Sequence, residues 1–388
     1  MSVKSVRCVL GAFVLAALLF LLPTLVAAAE EEIDWNRART LNQKAQRGEA
    51  LTPEEQTYLE RARQARSQLQ AEVPPARSET GLVPLTELEK GDYKGEGGGL
   101  YGSGQNSPPA DHLKAAQAEA AKVQPLDAQG KPSPEGKIAL VSIGMSNTSQ
   151  EFTRFKEIAD ADPEKSPRLV IVNGAQGGQD APAWANPGPP AQGRPDVWGV
   201  LDARLKDAGV APAQVQVIWL KQALVQPSRF GRFPDHARRL QEDVVTALDR
   251  LKARYPNLRI AYLSSRIYAG YATTALNPEP YAYESAFAVR WLIRAQIKGD
   301  PRLNCLPERG EVKAPLVLWG PYLWGDGVKP RKADGLVWKR EDLGPDGTHP
   351  SDSGRQKVAE LLLAFFKTDP TARPWFVGGA APPGLRAP

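Results

Sequence analysis

From residue 137 onward, short apolar runs alternate with longer amphipathic stretches. The runs cover 138–143 (IALVSI), 168–172 (RLVIV), 215–219 (VQVIW), 259–263 (RIAYL) and 315–319 (PLVLW). They are nearly continuous in apolar residues rather than alternating. That pattern fits strands buried on both faces, as in a parallel sheet. Stretches with helical spacing separate them. Over 235–255, Leu240, Val244, Leu248 and Leu251 share one face. A second helix is predicted over 283–297. The last is predicted over 351–367, where Val358, Leu361, Leu362 and Phe365 fall at i, i+3, i+4 and i+7. Strands alternating with helices predict an α/β three-layer sandwich around a central five-stranded, mainly parallel sheet. In such sheets ligands bind beyond the carboxyl ends of the strands.

The first third of the chain reads differently. Residues 1–29 carry Lys4 and Arg7, then an apolar run, then Ala27-Ala28-Ala29. This is the layout of a cleaved secretory signal peptide, with an uncleaved anchor as the alternative. It predicts a secreted or periplasmic protein without stable membrane insertion. Residues 30–72 form a charged helical segment, a hairpin or a solvated spacer. Thr52-Pro53-Glu54-Glu55 is its helix start: a Thr cap, Pro in the first turn, and acids at the positive dipole end. Residues 73–135 are rich in Pro, Gly and Ala and are expected to be linker and loop. Within them, 95–104 (GEGGGLYGSG) lacks the strand before and helix after that a phosphate cradle requires. Residues 136–369 are the expected catalytic domain, and 370–388 a Pro/Gly-rich tail.

Composition narrows the classes. With 34 Gly and 35 Pro but 42% hydrophobic residues, the chain is neither wholly disordered nor a polytopic membrane protein. A net charge of +5, two of it in Lys4 and Arg7, does not argue for a nucleic-acid partner. Loss of Cys8 with the export segment leaves Cys305 without an internal disulfide partner, and a buried structural thiol is expected. Three His exclude most multi-histidine metal sites. No metal and no cofactor are expected.

Chemistry is sought in the loops after the strands. These are Gly144-Met145-Ser146-Asn147-Thr148, the stretch 173–179 (NGAQGGQ), Lys221-Gln222-Ala223, and Asp346-Gly347-Thr348-His349-Pro350 before the last helix. A serine needs a base, histidine is the usual one, and a carboxylate sets the histidine tautomer. Amide donors must face the developing oxyanion. Ser146, His349 and Asp346 are therefore the candidate catalytic residues. Each also has a plainer reading: Ser146 as a helix cap, His349 before a helix start, and Asp346 as a turn former in Pro-Asp-Gly. His236 is expected at the surface and His112 outside the sheet. Trp219, Trp291, Trp319 and Trp324 are expected in the core or at a rim.

The motifs resemble those of the SGNH hydrolase superfamily, the GDSL-like esterases and lipases. Gly144-Met145-Ser146 stands for the usual Gly-Asp-Ser. Gly-Met-Ser-Asn is similar to the Gly-Gln-Ser-Asn of the sialate and xylan acetylesterase branch, as is 173–184 (NGAQGGQDAPAW). Asp346 and His349 match Asp-x-x-His. The resemblance spans about residues 136–369 and implies a flavodoxin-like sheet. It also implies a serine esterase acting on a small-molecule or carbohydrate ester, with an acetyl group as the acyl part. Oxyanion donors would be the N–H groups of Ser146 and Gly178 and the Gln222 amide. Asn147, Gly177 and Lys221 are candidate substrate contacts. The family's third block usually offers Gly-x-Asn, and here no Asn follows the third strand. That departure motivates the alternative, a weak or inactive envelope or binding protein on the same fold.

Overall fold

The computed structural model describes residues 33–71, 75–187 and 196–378. The expected signal peptide lies outside them. Among the described residues, no helix is long and apolar enough to cross a membrane. The chain separates into two compact units, Met1–Ala65 and Arg66–Pro388.

The first unit contains helix α1 (Trp35–Gln46) and most of α2 (Pro53–Ala71). Thr52 starts α2 as its spacing demands. Its Oγ1 accepts from Glu55 N at 3.2 Å, and Glu55 Oε2 accepts from Thr52 N at 3.0 Å, a closed capping box. Ala38, Leu41, Tyr58, Leu59 and Ala62 form the small apolar seam between the helices.

The second unit runs β1 (Asp92–Tyr93), β2 (Glu96–Gly97), α3 (Ala110–Ala120), β3 (Ile138–Gly144), α4 (Ser146–Asp160) and β4 (Leu169–Val172). Then follow α5 (Ala181–Ala185), α6 (Val197–Asp207), β5 (Val215–Lys221), α7 (Asp235–Arg254), β6 (Ile260–Ser264), α8 (Tyr281–Ile297), β7 (Leu316–Trp319), α9 (Asp352–Thr368) and α10 (Arg373–Phe376). The large sheet has the order β4-β3-β5-β6-β7, and every neighbouring pair is parallel. The five apolar runs are its five strands. Every residue of β3 and of β5 is buried. This is the three-layer α/β sandwich that the periodicity predicts.

Side chains along β5 alternate between the layers. Trp219 stacks on Phe152 of α4, ring centroids 5.5 Å apart. Leu220 faces the other way, against Leu240 and Val244 of α7 and Leu292 of α8. α4 packs on α9, and α7 on α8. Each fully buried Leu or Phe in these layers contributes about 1.5–3 kcal/mol.

Two expectations are corrected here. Residues 75–135 are not a linker. Leu85 is fully buried, and its N–H bonds the Tyr322 hydroxyl at 3.1 Å. Trp319 Nε1 donates to Leu100 O at 2.8 Å. The carboxylate of buried Asp326 accepts from Thr80 N, Thr80 Oγ1 and Gly81 N at 2.6–2.9 Å. The glycines serve a tight fold: a Cβ on Gly99 would lie 2.4 Å from Gln105 N. Composition marked a segment able to turn sharply, and the edge strand β7 gave it something to bury against. The first residues expected in the tail are also packed. Trp375 and Phe376 are buried, and Phe376 stacks on Phe366 at 5.4 Å. Of the residues expected in the tail, 379–388 lie outside the described residues.

Cys305 is half-buried, and burial pushes its thiol up to about 11. That suits packing rather than nucleophilic work.

Candidate active site

β3 ends at Gly144, where only glycine fits. A Cβ there would lie 2.4 Å from Lys221 O and 2.5 Å from Thr148 Oγ1. Met145 is extended and starts α4, its C=O accepting from Ser149 N at 2.9 Å. Ser146 is thus the first helical residue. Its N–H belongs to the set that no helical carbonyl can satisfy, and it lies at the carboxyl edge of the sheet.

Ser146 Oγ lies 2.7 Å from His349 Nε2. His349 Nδ1 lies 2.6 Å from Asp346 Oδ2. Asp346 Oδ1 accepts from the backbone N–H of Thr348 and of His349, both at 3.0 Å. The turn contact and the imidazole contact therefore coexist at Asp346. One oxygen closes the turn and the other faces the imidazole. Burial alone would raise this carboxyl. The His349 ring and the two backbone N–H groups outweigh that and hold it down at about 2. An ionised carboxylate can only accept, so Nδ1 carries a proton, and in the neutral imidazole Nε2 is left to accept from Ser146.

Gly347 makes the turn possible. Its φ is +64°, and a Cβ would lie 1.8 Å from Tyr271 O. The loop after β6 also holds Asp346 O, through Thr273 N at 2.9 Å. His349 and Asp346 side chains remain 29% and 28% exposed, so the imidazole is reachable from outside. They border an open depression of about 560 Å³ that Gly344, Pro345, Pro350 and Arg355 also line.

The second loop turns over Ser146. Gln176 N bonds Gly144 O at 3.0 Å, and Gln179 N reaches back to Gln176 O at 3.3 Å. Gly178 has φ +75°, so it is the turn glycine. Gly177 lies closer to the serine: a Cβ on it would be 4.0 Å from Ser146 Cβ. Both glycines are exposed, and among the described residues neither N–H meets a protein acceptor.

Three candidate residues are placed elsewhere. Gln222 follows Leu220 on the α7/α8 side of the sheet. Its amide lines a small void with Gln241, Val244 and Leu292, and neither polar atom has a partner among the described residues. It does not reach Ser146 as an oxyanion donor. Lys221 points to the opposite layer, fully buried, and its ammonium pairs with Glu151 of α4. Burial lowers it to about 8 despite that carboxylate. It is no substrate contact. Strand periodicity sends consecutive side chains to opposite faces, so neither points along the strand toward the edge. Asn147 is also buried, and its Nδ2 donates to Thr348 O at 2.8 Å instead of facing solvent.

The other histidines stay outside the site. His112 Nε2 meets Val317 O at 2.9 Å. His236 is buried rather than at the surface, 2.7 Å from Glu284 Oε2. The helix pattern hid this, because Arg238 and Arg239 beside it suggested an open face. Trp219, Trp291, Trp319 and Trp324 are all buried. Sequence reading missed Glu151 and Arg266. Arg266 is fully buried behind the site, its Nη2 3.4 Å from Thr348 O. No local spacing links either to its partners.

No family model matches the chain, and no curated protein matches it. Among solved structures, a family two carbohydrate esterase from Clostridium thermocellum in complex with cellohexaose is 13% identical, with a TM-score of 0.30, over 61% of this chain. The present chain spans 65% of that protein's length, just under two thirds. LAE5, an alpha/beta hydrolase enzyme from the metagenome of Lake Arreo, Spain, is 17% identical, with a TM-score of 0.32, over 62% of this chain and 99% of its own. At such scores these likenesses say nothing about the chemistry of the present chain.

Proposed function

We propose that the chain is an exported SGNH-type serine ester hydrolase, acting on an acetyl ester of a carbohydrate. The observation that carries the hydrolase reading is the unbroken relay Asp346–His349–Ser146, with contacts of 2.6 and 2.7 Å. In this reading Ser146 Oγ attacks the ester carbonyl as its proton passes to His349 Nε2. Asp346 stabilises the imidazolium that results. The oxyanion meets the Ser146 N–H and an N–H of the Gly177–Gly178 turn, with no side-chain donor from the third loop. His349 then returns the proton to the departing alcohol. Water enters by the same base and releases the acid. The acetyl and carbohydrate parts rest on the resemblance of Gly144-Met145-Ser146-Asn147 to the acetylesterase motif.

The test is turnover of a chromogenic acetyl ester by wild type and Ser146→Ala. The variant should lose about 10⁴-fold or more. Equal turnover by both, or none by either, overturns the hydrolase reading and favours a binding protein on this fold. Acetate released from a panel of acetylated polysaccharides then tests the alcohol. Hydrolysis of simple esters with no release from any polysaccharide would refute the carbohydrate part alone.

A further inference from the structure

Asn147 stands next to the proposed nucleophile yet faces away from any substrate. The residue is 3% exposed, and its Nδ2 donates to Thr348 O at 2.8 Å. Thr348 O belongs to the peptide that leads into His349. The other end of that peptide, His349 N, donates to Asp346 Oδ1 at 3.0 Å. The peptide is thus held at its oxygen by helix α4 and at its nitrogen by the Asp346 turn. A peptide plane is rigid, so fixing both ends fixes the His349 N–Cα bond, from which the side chain branches.

The two anchors do different things. Asp346 sets the ring within its own loop. Asn147 sets that loop against the helix that begins with Ser146. Arg266 also faces Thr348 O, but at 3.4 Å its contact is long. It comes from the loop after β6, so it cannot relate base to nucleophile directly. We infer that Asn147 is a positioning residue: its amide ties the His349 loop to the first turn of α4 and thereby keeps Nε2 in line with Ser146 Oγ.

The kinetic part of the test rests on the hydrolase reading. Asn147→Leu keeps the size and removes the donor. Its kcat should fall by about 10- to 100-fold with KM changed by less than about threefold, because misplacement affects the reacting atoms and not ground-state binding. In a His349→Ala background the same substitution should cost nothing further, since the residue acts through the base. A kcat within about twofold of wild type, or an undiminished loss in that background, overturns the inference. If Asn147→Leu does not fold, Asn147→Ala takes its place under the same criteria.

A readout without substrate separates the two ideas. The Nδ1 proton between His349 and Asp346 should give a low-field proton NMR signal that is missing in His349→Ala. In Asn147→Leu that signal should move upfield or broaden. A signal identical to wild type overturns the positioning role even in an active enzyme. A changed signal in a protein that hydrolyses no ester upholds the role and refutes the hydrolase reading instead.

Discussion

Among the described residues are two histidine–carboxylate pairs of nearly equal length. His349 lies 2.6 Å from Asp346, and His236 lies 2.7 Å from Glu284. Their surroundings differ. The first pair is more than a quarter exposed and has a serine hydroxyl at the free ring nitrogen. The second is almost completely buried, its two side chains 3% and 1% exposed. Glu284 also accepts from the Tyr93 hydroxyl at 2.6 Å and from Lys94 Nζ at 2.8 Å. These donors hold the carboxyl below its usual range against the burial that would raise it. Burial, helped by Glu284, pushes the Tyr93 hydroxyl up. This second pair joins α7 and α8 to the β1 hairpin and leaves the carboxylate no spare role. Pairing with a carboxylate does not make a histidine a base. A hydroxyl in line and a path to solvent are what distinguish the first pair.

The contrast can be broken in order of expected effect. Asp346→Asn should lower kcat by about 10⁴-fold on a chromogenic acetyl ester, because an amide can settle the wrong imidazole tautomer. A loss under about tenfold would remove Asp346 from the relay. Next comes the buried Lys221–Glu151 pair. Glu151→Leu leaves the Lys221 ammonium buried without its partner and should cost about 3–5 kcal/mol in urea unfolding. Lys221→Met combined with Glu151→Leu should restore most of that. If the double variant is as unstable as the single one, the cost lies in packing and not in the unpaired charge.

Glu284→Gln should act on stability alone. Loss of the charge that three donors share should cost about 1–3 kcal/mol, with kcat inside about twofold of wild type. A large kcat loss in a folded variant would mean that the second pair also serves the reaction. The smallest effect is in acid. Asp346 has its carboxyl lowered from 3.8 to about 2 on folding. Its contribution to stability is complete above the unfolded value and is lost as pH falls from near 3.8 through about 2. The difference in urea midpoint between wild type and Asp346→Asn should therefore shrink over that window. A difference that stays constant down to pH 2 would contradict the lowered carboxyl.

Much of the architecture was legible because burial on both faces writes itself as an uninterrupted apolar run. All five such runs became strands, and the helices of 235–255, 283–297 and 351–367 shifted by no more than two residues at either end. The identities of Ser146, Asp346 and His349 were legible for another reason. Each lies directly beside an element whose ends the periodicity marked, and the edge of a parallel sheet gathers such residues. The Pro/Gly-rich stretch before β3 was not legible. Proline and glycine report what the backbone can do, not what it will lie against, so Leu85 and Leu100 gave no sign of burial. His236 failed for a similar reason: the charged residues near it, Asp235, Arg238 and Arg239, are exposed, while its partner Glu284 is 48 residues away.

What the sequence determined by itself was local: strand positions, helix faces, the capping box at Thr52, the Pro-Asp-Gly turn and the residue types at the sheet edge. These depend on steric and hydrogen-bonding preferences over a few neighbours. Only the tertiary structure decided where Lys221 and Gln222 point, that Asn147 reaches across to Thr348, and that Glu151 meets Lys221. Each of these depends on which layer covers which face of β5, and on helices and loops brought together from distant parts of the chain. Periodicity can say that two neighbouring side chains part company. It takes the packed layers to say that one meets a carboxylate and the other a void.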